Sequence, residues 1–156
     1  SPPTEPAAGT DVNQAIQKVI RLIGYSLTGR KIRIETRFAE NLPHAAIGED
    51  ELQEVVINLI KNAVHAIDGE GLIRVATSCT MNKRQLRVQI SDDGRGISRE
   101  HLSRIFDPFF TTKRNGEGTG LGLSVVYGIM RRYNGAVHVA SEEGGGTRVR
   151  LELPAH

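Results

Sequence analysis

The chain has 156 residues and a net charge of +2, with 38% hydrophobic and 24% charged residues. Its length is typical of one domain with its own core, and so small a charge favours neither nucleic acid nor an acidic membrane as a partner. No run approaches the eighteen apolar residues of a membrane span. The single Cys79 excludes an internal disulfide and indicates a reducing compartment. We expect a cytoplasmic domain, whose parent protein could still be anchored in an inner membrane.

The first half of the chain predicts a tail, a helix and a strand. Residues 1–10 contain three prolines and no apolar periodicity, which indicates a linker before a domain over residues 11–156. Asp11 is suited to cap a helix, because apolar residues recur at helical spacing through residues 12–23. Residues 31–38 alternate between apolar and charged side chains, which predicts a half-buried strand.

The remaining periodicities predict two further helices and four further strands. These are a helix over 50–67, an antiparallel strand pair over 72–79 and 85–91, a helix over 123–133, and a final hairpin over 136–140 and 147–153. Clustered strands with few crossovers imply an α/β fold. We expect a two-layer α/β sandwich, with a mixed, mostly antiparallel sheet and about three helices on one face.

Nine of the 17 glycines are clustered at 94–96, 116–122 and 144–146. Alternate glycines let a backbone approach a ligand closely and leave its N–H groups free for phosphate oxygens. The first cluster follows a predicted strand and is preceded by Asp92, whose carboxylate can accept a hydrogen bond from an amino group such as that of adenine. The second cluster begins a predicted helix, whose first N–H groups favour anions. The simpler alternatives are an Asp-Gly turn and a flexible hinge.

A polar stripe runs along the helix predicted over 50–67. Glu54, Asn58 and Asn62 stand at i, i+4 and i+8, so their side chains point the same way. Asparagine is a poor helix former, and its amide oxygen suits Mg²⁺. Alone, the stripe is most simply the solvated face of an amphipathic helix. Beside two glycine clusters, it indicates a nucleotide and metal site.

Three of the four phenylalanines lie between the glycine clusters, within residues 106–110. Apolar residues in a loop usually attach it to the core. The alternative is a lid or docking surface that holds Thr111, Thr112 and Lys113 near a polyphosphate, with Lys113 supplying a compact positive charge. One loop could serve both purposes, so both interpretations stay open.

Taken in their order along the chain, these motifs resemble the motifs of the histidine-kinase ATP-binding superfamily. That superfamily includes gyrase B, Hsp90 and MutL and has the Bergerat fold. Residues 51–66 resemble its N box, 92–97 its G1 box, 106–113 its F box and 118–122 its G2 box, and 144–147 resemble its last, weaker glycine motif. The F box and G2 box are similar to those of sensor histidine kinases of the nitrogen-regulatory type.

The resemblance implies ATP and Mg²⁺ as ligands and assigns roles by position. Asp92 would bind the adenine amino group, and Gly96 would let the backbone approach the ring. Asn58 would ligate Mg²⁺, and Asn62 would contact phosphate or the water shell of the metal. Residues 98–117 would form a mobile lid.

Two catalytic residues are also implied. Glu54 stands where ATPases of the superfamily carry a general base, and in a kinase it would orient or deprotonate the attacking imidazole. Lys113 would act beside it, and His65 stands where many relatives have a lysine near the phosphates. The nucleotide-binding set implied by the resemblance is Asn58, Asn62, His65, Asp92, Gly94, Gly96, Ile97, Thr112, Lys113, Gly118, Thr119, Gly120, Leu121, Gly122 and Thr147.

The resemblance therefore implies the catalytic domain of a sensor histidine kinase, which moves the γ-phosphoryl group of ATP to a histidine on a separate dimerisation domain. None of the five histidines precedes an acidic residue, as a phosphoacceptor typically does, so we expect that histidine upstream in the parent protein. A response regulator receiver domain would act downstream, and a monomeric domain would belong to a homodimeric parent. The alternatives are a nucleotide-binding regulatory module and an ATPase of the gyrase or Hsp90 kind.

Overall fold

Five segments in which buried and outward side chains alternate form one sheet. The segments with apolar residues at helical spacing form the helices that cover it. The computed structural model describes residues 9–107 and 122–156. The helices are α1 (Val12–Ser26), α2 (Glu49–Ala66), α3 (Arg99–Leu102) and α4 (Gly122–Arg132), and the strands are β1 (Lys31–Arg37), β2 (Glu70–Cys79), β3 (Gln85–Asp92), β4 (Ala136–Ser141) and β5 (Thr147–Pro154).

The sheet is mixed and mostly antiparallel, as the sequence predicts. Its strand order is β1-β2-β3-β5-β4. The β1–β2 pair is parallel because α2 connects the two strands, and every other pair is antiparallel. The helices pack on one face, so the predicted two-layer α/β sandwich is confirmed.

Helix α2 lies at the centre of the helical layer. It packs between α1 and α4, and it also contacts β2 and β3. Its apolar face is almost completely buried, and this face consists of Leu52, Val55, Val56, Leu59, Ile60 and Ala63. The position of α2 is therefore fixed on three sides by described elements, and its polar stripe lies on the remaining side.

The ends of the helices agree with the sequence reasoning, with one addition. The Asp11 carboxylate caps α1 by accepting from the backbone N–H of Gln14. Gly122 is the first residue of α4, as expected of a glycine cluster that begins a helix. The added element is α3, a single turn capped by Ser98 within the segment that we expected to be a long loop.

The residue three positions before Glu54 on α2 has a structural role. Glu51 folds back towards the start of α2 at Gly48, and its carboxylate accepts a hydrogen bond from the hydroxyl of Tyr133, just beyond α4. Burial and this carboxylate raise the pKa of Tyr133. Glu51 therefore joins the start of α2 to the end of α4.

The described N-terminal end is attached to the domain. Thr10 and Ala45 exchange backbone hydrogen bonds, and the Thr10 hydroxyl donates to the carbonyl of Ile47. The linker predicted over residues 1–10 lies otherwise outside the described residues. Among residues 9–107 and 122–156, no helix combines the length and apolar character needed to cross a bilayer.

Candidate functional site

The loop after β3, residues 92–97, lies against the last turn of α2. The backbone N–H of Arg95 donates to the carbonyl of Ala66 at 2.9 Å. The Arg95 guanidinium donates to the carbonyl of His65 at 2.8 Å, and it lies 3.9 Å from the Asp68 carboxylate. Carbonyls at a helix C-terminus have no partner within the helix. Arg95 thus satisfies two of these carbonyls and attaches the 92–97 loop to α2.

The opposite side of the 92–97 loop is held by the turn between β4 and β5. The N–H of Gly144 donates to the carbonyl of Arg95 at 2.6 Å. The N–H of Ile97 donates to the hydroxyl oxygen of Ser141 at 2.8 Å, and this hydroxyl also lies within hydrogen-bonding distance of the Thr147 hydroxyl. Ser141 therefore joins the loop to both strands of the final hairpin.

A third attachment runs to the start of β2. The Asp93 carboxylate accepts from the N–H of Leu72 at 2.8 Å, and the Asp93 N–H donates to the Leu72 carbonyl at 3.3 Å. Of the two adjacent aspartates, Asp93 is thus used to anchor the backbone. Asp92 remains as the carboxylate available to a ligand.

The glycines of this region are required by contacts within the protein. A Cβ on Gly94 would lie 2.4 Å from the carbonyl oxygen of Ala66, and one on Gly96 would lie 1.9 Å from that of Glu142. Gly96 also has a φ of +74°, a conformation that favours glycine. Gly146 has a φ of +82°, and its Cβ would lie 2.1 Å from the carbonyl oxygen of Asp92. This requirement exists without any ligand, so the approach of the Gly96 backbone to adenine stays a prediction.

The Asp92 carboxylate is half-buried and partly hydrogen-bonded. It accepts from the N–H of Gly94 at 2.8 Å and from the backbone of Thr147. Asp92 follows the buried Val88 and Ile90 at the two-residue spacing of one strand face, so it belongs to the face that the helices cover. Burial raises the pKa of this carboxyl, and the two backbone N–H groups partly oppose that shift.

The two asparagines of α2 face the start of α4. The Asn58 amide nitrogen donates to the carbonyl of Glu54 at 2.9 Å, which leaves its oxygen available. A Cβ on Gly122 would lie 3.5 Å from the Asn62 side-chain oxygen and 3.7 Å from that of Asn58. Two amide oxygens and the first turn of a helix therefore meet at one place.

The two asparagines and the start of α4 lie at a fixed distance from the 92–97 loop, because α2 connects them. At 1.5 Å per residue, Asn58 lies about 12 Å along the axis from Ala66, and Asn62 lies about 6 Å from it. Glu54 is exposed one turn beyond Asn58, and His65 is exposed beside the loop. The predicted site residues on α2 thus form one line that begins at the loop.

The remaining predicted residues divide between internal roles and the undescribed segment. Thr147 contacts Ser141 and Asp92, and Ile97 donates to Ser141, so both support the loop. The predicted residues that lie outside the described part of the chain are Thr112, Lys113, Gly118, Thr119, Gly120 and Leu121.

The start of the predicted lid lies against α4. Ile105 is 7% exposed, and the Phe106 ring lies 5.3 Å from the ring of Tyr127 on α4. The Arg131 guanidinium lies 5.6 Å from the centre of the same tyrosine ring. These contacts attach the start of the lid to α4, while Phe109 and Phe110 lie outside the described residues, so both interpretations of the phenylalanines stay open.

Sequence reasoning missed Ser141 and Arg95 as residues that hold the site together. The signal for Ser141 was weak, because it is one polar residue at the end of a strand. Arg95 stood in view between Gly94 and Gly96, but nothing in the sequence indicated that it reaches the end of α2. The contacts of both residues depend on the sheet order, which brings β3 beside β5.

Comparison with known families and proteins agrees with the resemblance to the histidine-kinase ATP-binding superfamily. Residues 47–156 match the family described as histidine kinase-, DNA gyrase B-, and HSP90-like ATPase. The sensor histidine kinase ZraS of Escherichia coli (strain K12) is 36% identical over 94% of this chain, and sporulation kinase E of Bacillus subtilis (strain 168) is 32% identical over 92%. The chain spans 30% of the length of ZraS and 19% of that of sporulation kinase E.

The solved structures that resemble this chain are also histidine kinases. The catalytic domain of the histidine kinase ThkA, in a nucleotide-free form, superposes with a TM-score of 0.82 at 27% identity, over 94% of this chain and 95% of that chain. Full-length ShkA gives a TM-score of 0.85 at 25% identity, over 100% of this chain and 33% of that chain. The chain therefore belongs to the histidine kinase-, DNA gyrase B-, and HSP90-like ATPase family, and its homologues are sensor histidine kinases.

Replacing Gly96 by alanine tests the packing of the 92–97 loop. Gly96→Ala should lower the free energy of unfolding by about 1–3 kcal/mol, because a side chain at positive φ is strained and its Cβ collides with the carbonyl of Glu142. Urea unfolding followed by circular dichroism measures the change.

Gly128→Ala is the control, since Gly128 lies in α4 with nothing within 4 Å of a Cβ. It should leave stability equal or raise it by up to about 1 kcal/mol. Equal stability of both variants would contradict the close approach.

Proposed function

We propose that this chain is the ATP-binding catalytic domain of a sensor histidine kinase, and that it transfers the γ-phosphoryl group of ATP to a histidine on a separate dimerisation domain. The observation that carries the proposal is the arrangement along α2. A half-buried carboxylate lies in the loop at the C-terminal end of α2, and two amide oxygens facing the start of α4 lie about 6 Å and about 12 Å from that end along the helix axis.

The loop end suits a base that carries an amino group. Asp92 retains acceptor capacity beyond its bonds to Gly94 and Thr147, because an ionised carboxylate has about four acceptor positions. An exocyclic amino group such as that of adenine donates to such an oxygen. The triple attachment of the 92–97 loop holds Asp92 in place before the base arrives, which reduces the ordering cost of binding.

The other end suits phosphate and Mg²⁺. The residues fit the metal, because the Asn58 amide is oriented by Glu54 so that its oxygen, a hard ligand, is free. Asn62 would contact phosphate oxygens or metal-bound water, and the first N–H groups of α4 would face the same negative charge. When bound, Mg²⁺ neutralises charge on the phosphates during transfer.

Transfer itself depends mainly on position and charge. Glu54 would contact the incoming imidazole, because it is exposed one turn beyond Asn58 on the same line. His65 would lie near the nucleotide at the loop end. Thr112, Lys113 and the stretch 118–121 would close over the phosphates, with Lys113 supplying positive charge.

The parent protein would supply the partners. The relatives are three or more times longer than the matched segment, which leaves room for a dimerisation domain that carries the phosphoacceptor histidine. A response regulator receiver domain would then accept the phosphoryl group. The parent would be a homodimer that presents this domain in the cytoplasm. The related ShkA structure was solved with AMPPNP, an ATP analogue, which supports a nucleotide at this site.

The direct test is phosphotransfer between domains. This chain, mixed with the dimerisation domain of its parent and with ATP labelled at the γ-phosphate, should produce phosphohistidine that is labile to acid and stable to base. Nucleotide binding without transfer would contradict the kinase assignment and favour a nucleotide-sensing module. Steady hydrolysis of ATP with no phosphohistidine would instead favour an ATPase of the gyrase or Hsp90 kind.

Asn58→Ala separates metal binding from base binding. The variant should lose transfer by a factor of about 100 or more, because an electrostatic group at the phosphates contributes several kcal/mol to the transition state. Its affinity for ADP without Mg²⁺ should change less than about threefold, since no part of the base lies near Asn58. Gln53→Ala, on another face of α2, is the control and should retain both properties. Wild-type transfer by Asn58→Ala would exclude Asn58 as a metal ligand.

Asp92→Asn tests base recognition and the raised pKa together. Loss of a charge-assisted hydrogen bond of about 1.5–3 kcal/mol should weaken ADP binding about 10- to 100-fold in calorimetry. Because the folded pKa is raised, the ionised carboxylate opposes folding at neutral pH, and this effect disappears as the pH falls through the folded pKa. The variant should therefore be at least as stable as the wild type at pH 7, and its relative advantage should shrink in acid.

The matched control for this change is Asp50→Asn, an exposed position in the first turn of α2. It should alter ADP affinity less than twofold. Wild-type ADP affinity in Asp92→Asn would exclude the contact with the base. A large loss of stability in Asp92→Asn at pH 7 would show that the negative charge supports the fold.

A further inference from the structure

The face of the sheet that the helices do not cover is strongly basic. Its outward positions alternate with the buried ones along each strand. The charged residues at these positions are Lys31, Arg33, Glu35, Arg37, Glu70, Arg74, Arg87, Arg148, Arg150 and Glu152. We call this surface the open face.

The net charge of the whole chain does not show how basic the open face is. It holds seven basic and three acidic residues, whereas the whole chain has a net charge of only +2. The rest of the chain is therefore net acidic, and the positive charge is concentrated on one side. Net charge argued against nucleic acid at the level of sequence, but it could not reveal this separation.

Strand register places four of the seven basic residues in two rows across the sheet. One row runs Arg37, Ala76, Gln89, Arg150 and His138, and the next runs Glu35, Arg74, Ser91, Arg148 and Ala140. Between the charged side chains lie uncharged residues, and the face is concave there. The groove has a volume of about 1080 Å³, and its lining includes Arg37, Arg74 and Arg148 together with the acidic Glu35, Asp92 and Glu142.

The arginines exceed the acids that could neutralise them. Glu35 lies between Arg33 at 3.7 Å and Arg74 at 3.5 Å, and so it is already shared. Glu152 is similarly shared by Arg150 at 3.5 Å and His138 at 3.0 Å.

Three further arginines of the open face lack such an ion pair with a described residue. Arg37, Arg87 and Arg148 make no ion pair among the residues that the structure describes. Of these, Arg37 and Arg148 line the groove, and guanidinium groups that make no ion pair are suited to bidentate contacts with carboxylates.

We propose that the open face is a docking surface for an acidic protein segment, which lies across the strands in the groove and places its carboxylates on Arg74 and Arg148. These two arginines are in the same row and two strands apart, about 10 Å at the usual strand spacing. Carboxylates at positions i and i+7 of a helix are also about 10 Å apart along its axis. An acidic helix therefore matches the spacing of the row.

Charge and composition favour a protein over other occupants. No aromatic residue takes an outward position on these five strands, all of them described, whereas single-stranded nucleic acid is typically bound by stacking on aromatic rings. Glu35 and Glu152 stand at fixed places among the arginines, and they would repel a uniform polyanion. A second copy of the chain is also disfavoured, because face-to-face packing would place arginine rows opposite each other.

The test uses the 156-residue chain and two synthetic 18-residue helical peptides. The acidic probe carries glutamate at i, i+7 and i+14 on one face, and the scrambled probe spreads the same glutamates around the helix. Amide chemical shifts of the labelled chain should change saturably at outward positions of β2, β3 and β5 with the acidic probe. The scrambled probe should bind at least about tenfold more weakly, since only one glutamate at a time can reach the row.

Charge reversal on the open face should weaken binding of the acidic probe at least about tenfold, because each reversal removes a carboxylate–arginine contact and replaces it with repulsion between like charges. The variants are Arg74→Glu/Arg148→Glu and the single Arg148→Glu, which removes no ion pair seen among the described residues. The control is Arg21→Glu/Arg132→Glu, with the same change of net charge at exposed helix positions. It should change the affinity less than twofold.

Three outcomes would overturn the proposal. The first is the absence of saturable shifts on the open face with the acidic probe. The second is equal weakening by the open-face and control variants, which would show an effect of net charge alone. The third is tighter binding of the same face to a DNA duplex, or to vesicles containing phosphatidylserine, than to the acidic probe.

Discussion

Backbone hydrogen bonds on three sides hold residues 92–97, and the placement of the whole site depends on them. The end of α2 accepts from Arg95, the start of β2 is paired with Asp93, and the final hairpin is joined through Gly144 and Ser141. These attachments require backbones to approach more closely than a Cβ allows, so the glycines of the loop are a consequence of its packing. A carboxylate on so constrained a loop keeps its position whether or not a ligand is present.

The attachment of the 92–97 loop also fixes the distance between the two ends of the site, which are Asp92 in the loop and the asparagines of α2. Because the 92–97 loop is attached to the C-terminus of α2, the asparagines of that helix lie at set heights above Asp92. Packing against α1, α4 and the sheet prevents α2 from shifting, and the contact of Glu51 with Tyr133 ties its other end to α4. The buried face of α2 thus determines where its polar stripe stands. A nucleotide lying along that stripe would contact both ends at once.

The sequence predicted what depends on local pattern. Helix and strand periodicity gave the elements and their order, and the four motifs indicated Asp92, Asn58 and Asn62. It did not predict α3, because a single turn held by one cap has too short a pattern. The roles of Ser141 and Arg95 could not be predicted, since their partners lie far along the chain and meet only through the sheet order. The basic open face was hidden for the same reason, because strand register, rather than composition, brings its arginines together.

Native-state hydrogen exchange on the chain without nucleotide tests the central claim, that the 92–97 loop is fixed before a ligand binds. The informative amides are those of Gly94, Arg95 and Ile97, which donate to Asp92, Ala66 and Ser141. We expect them to be protected to within about tenfold of the neighbouring amides of β3, because opening the loop requires breaking contacts on three sides. Exchange of these amides at the rate of an unstructured peptide, with protection only after ADP is added, would contradict the account.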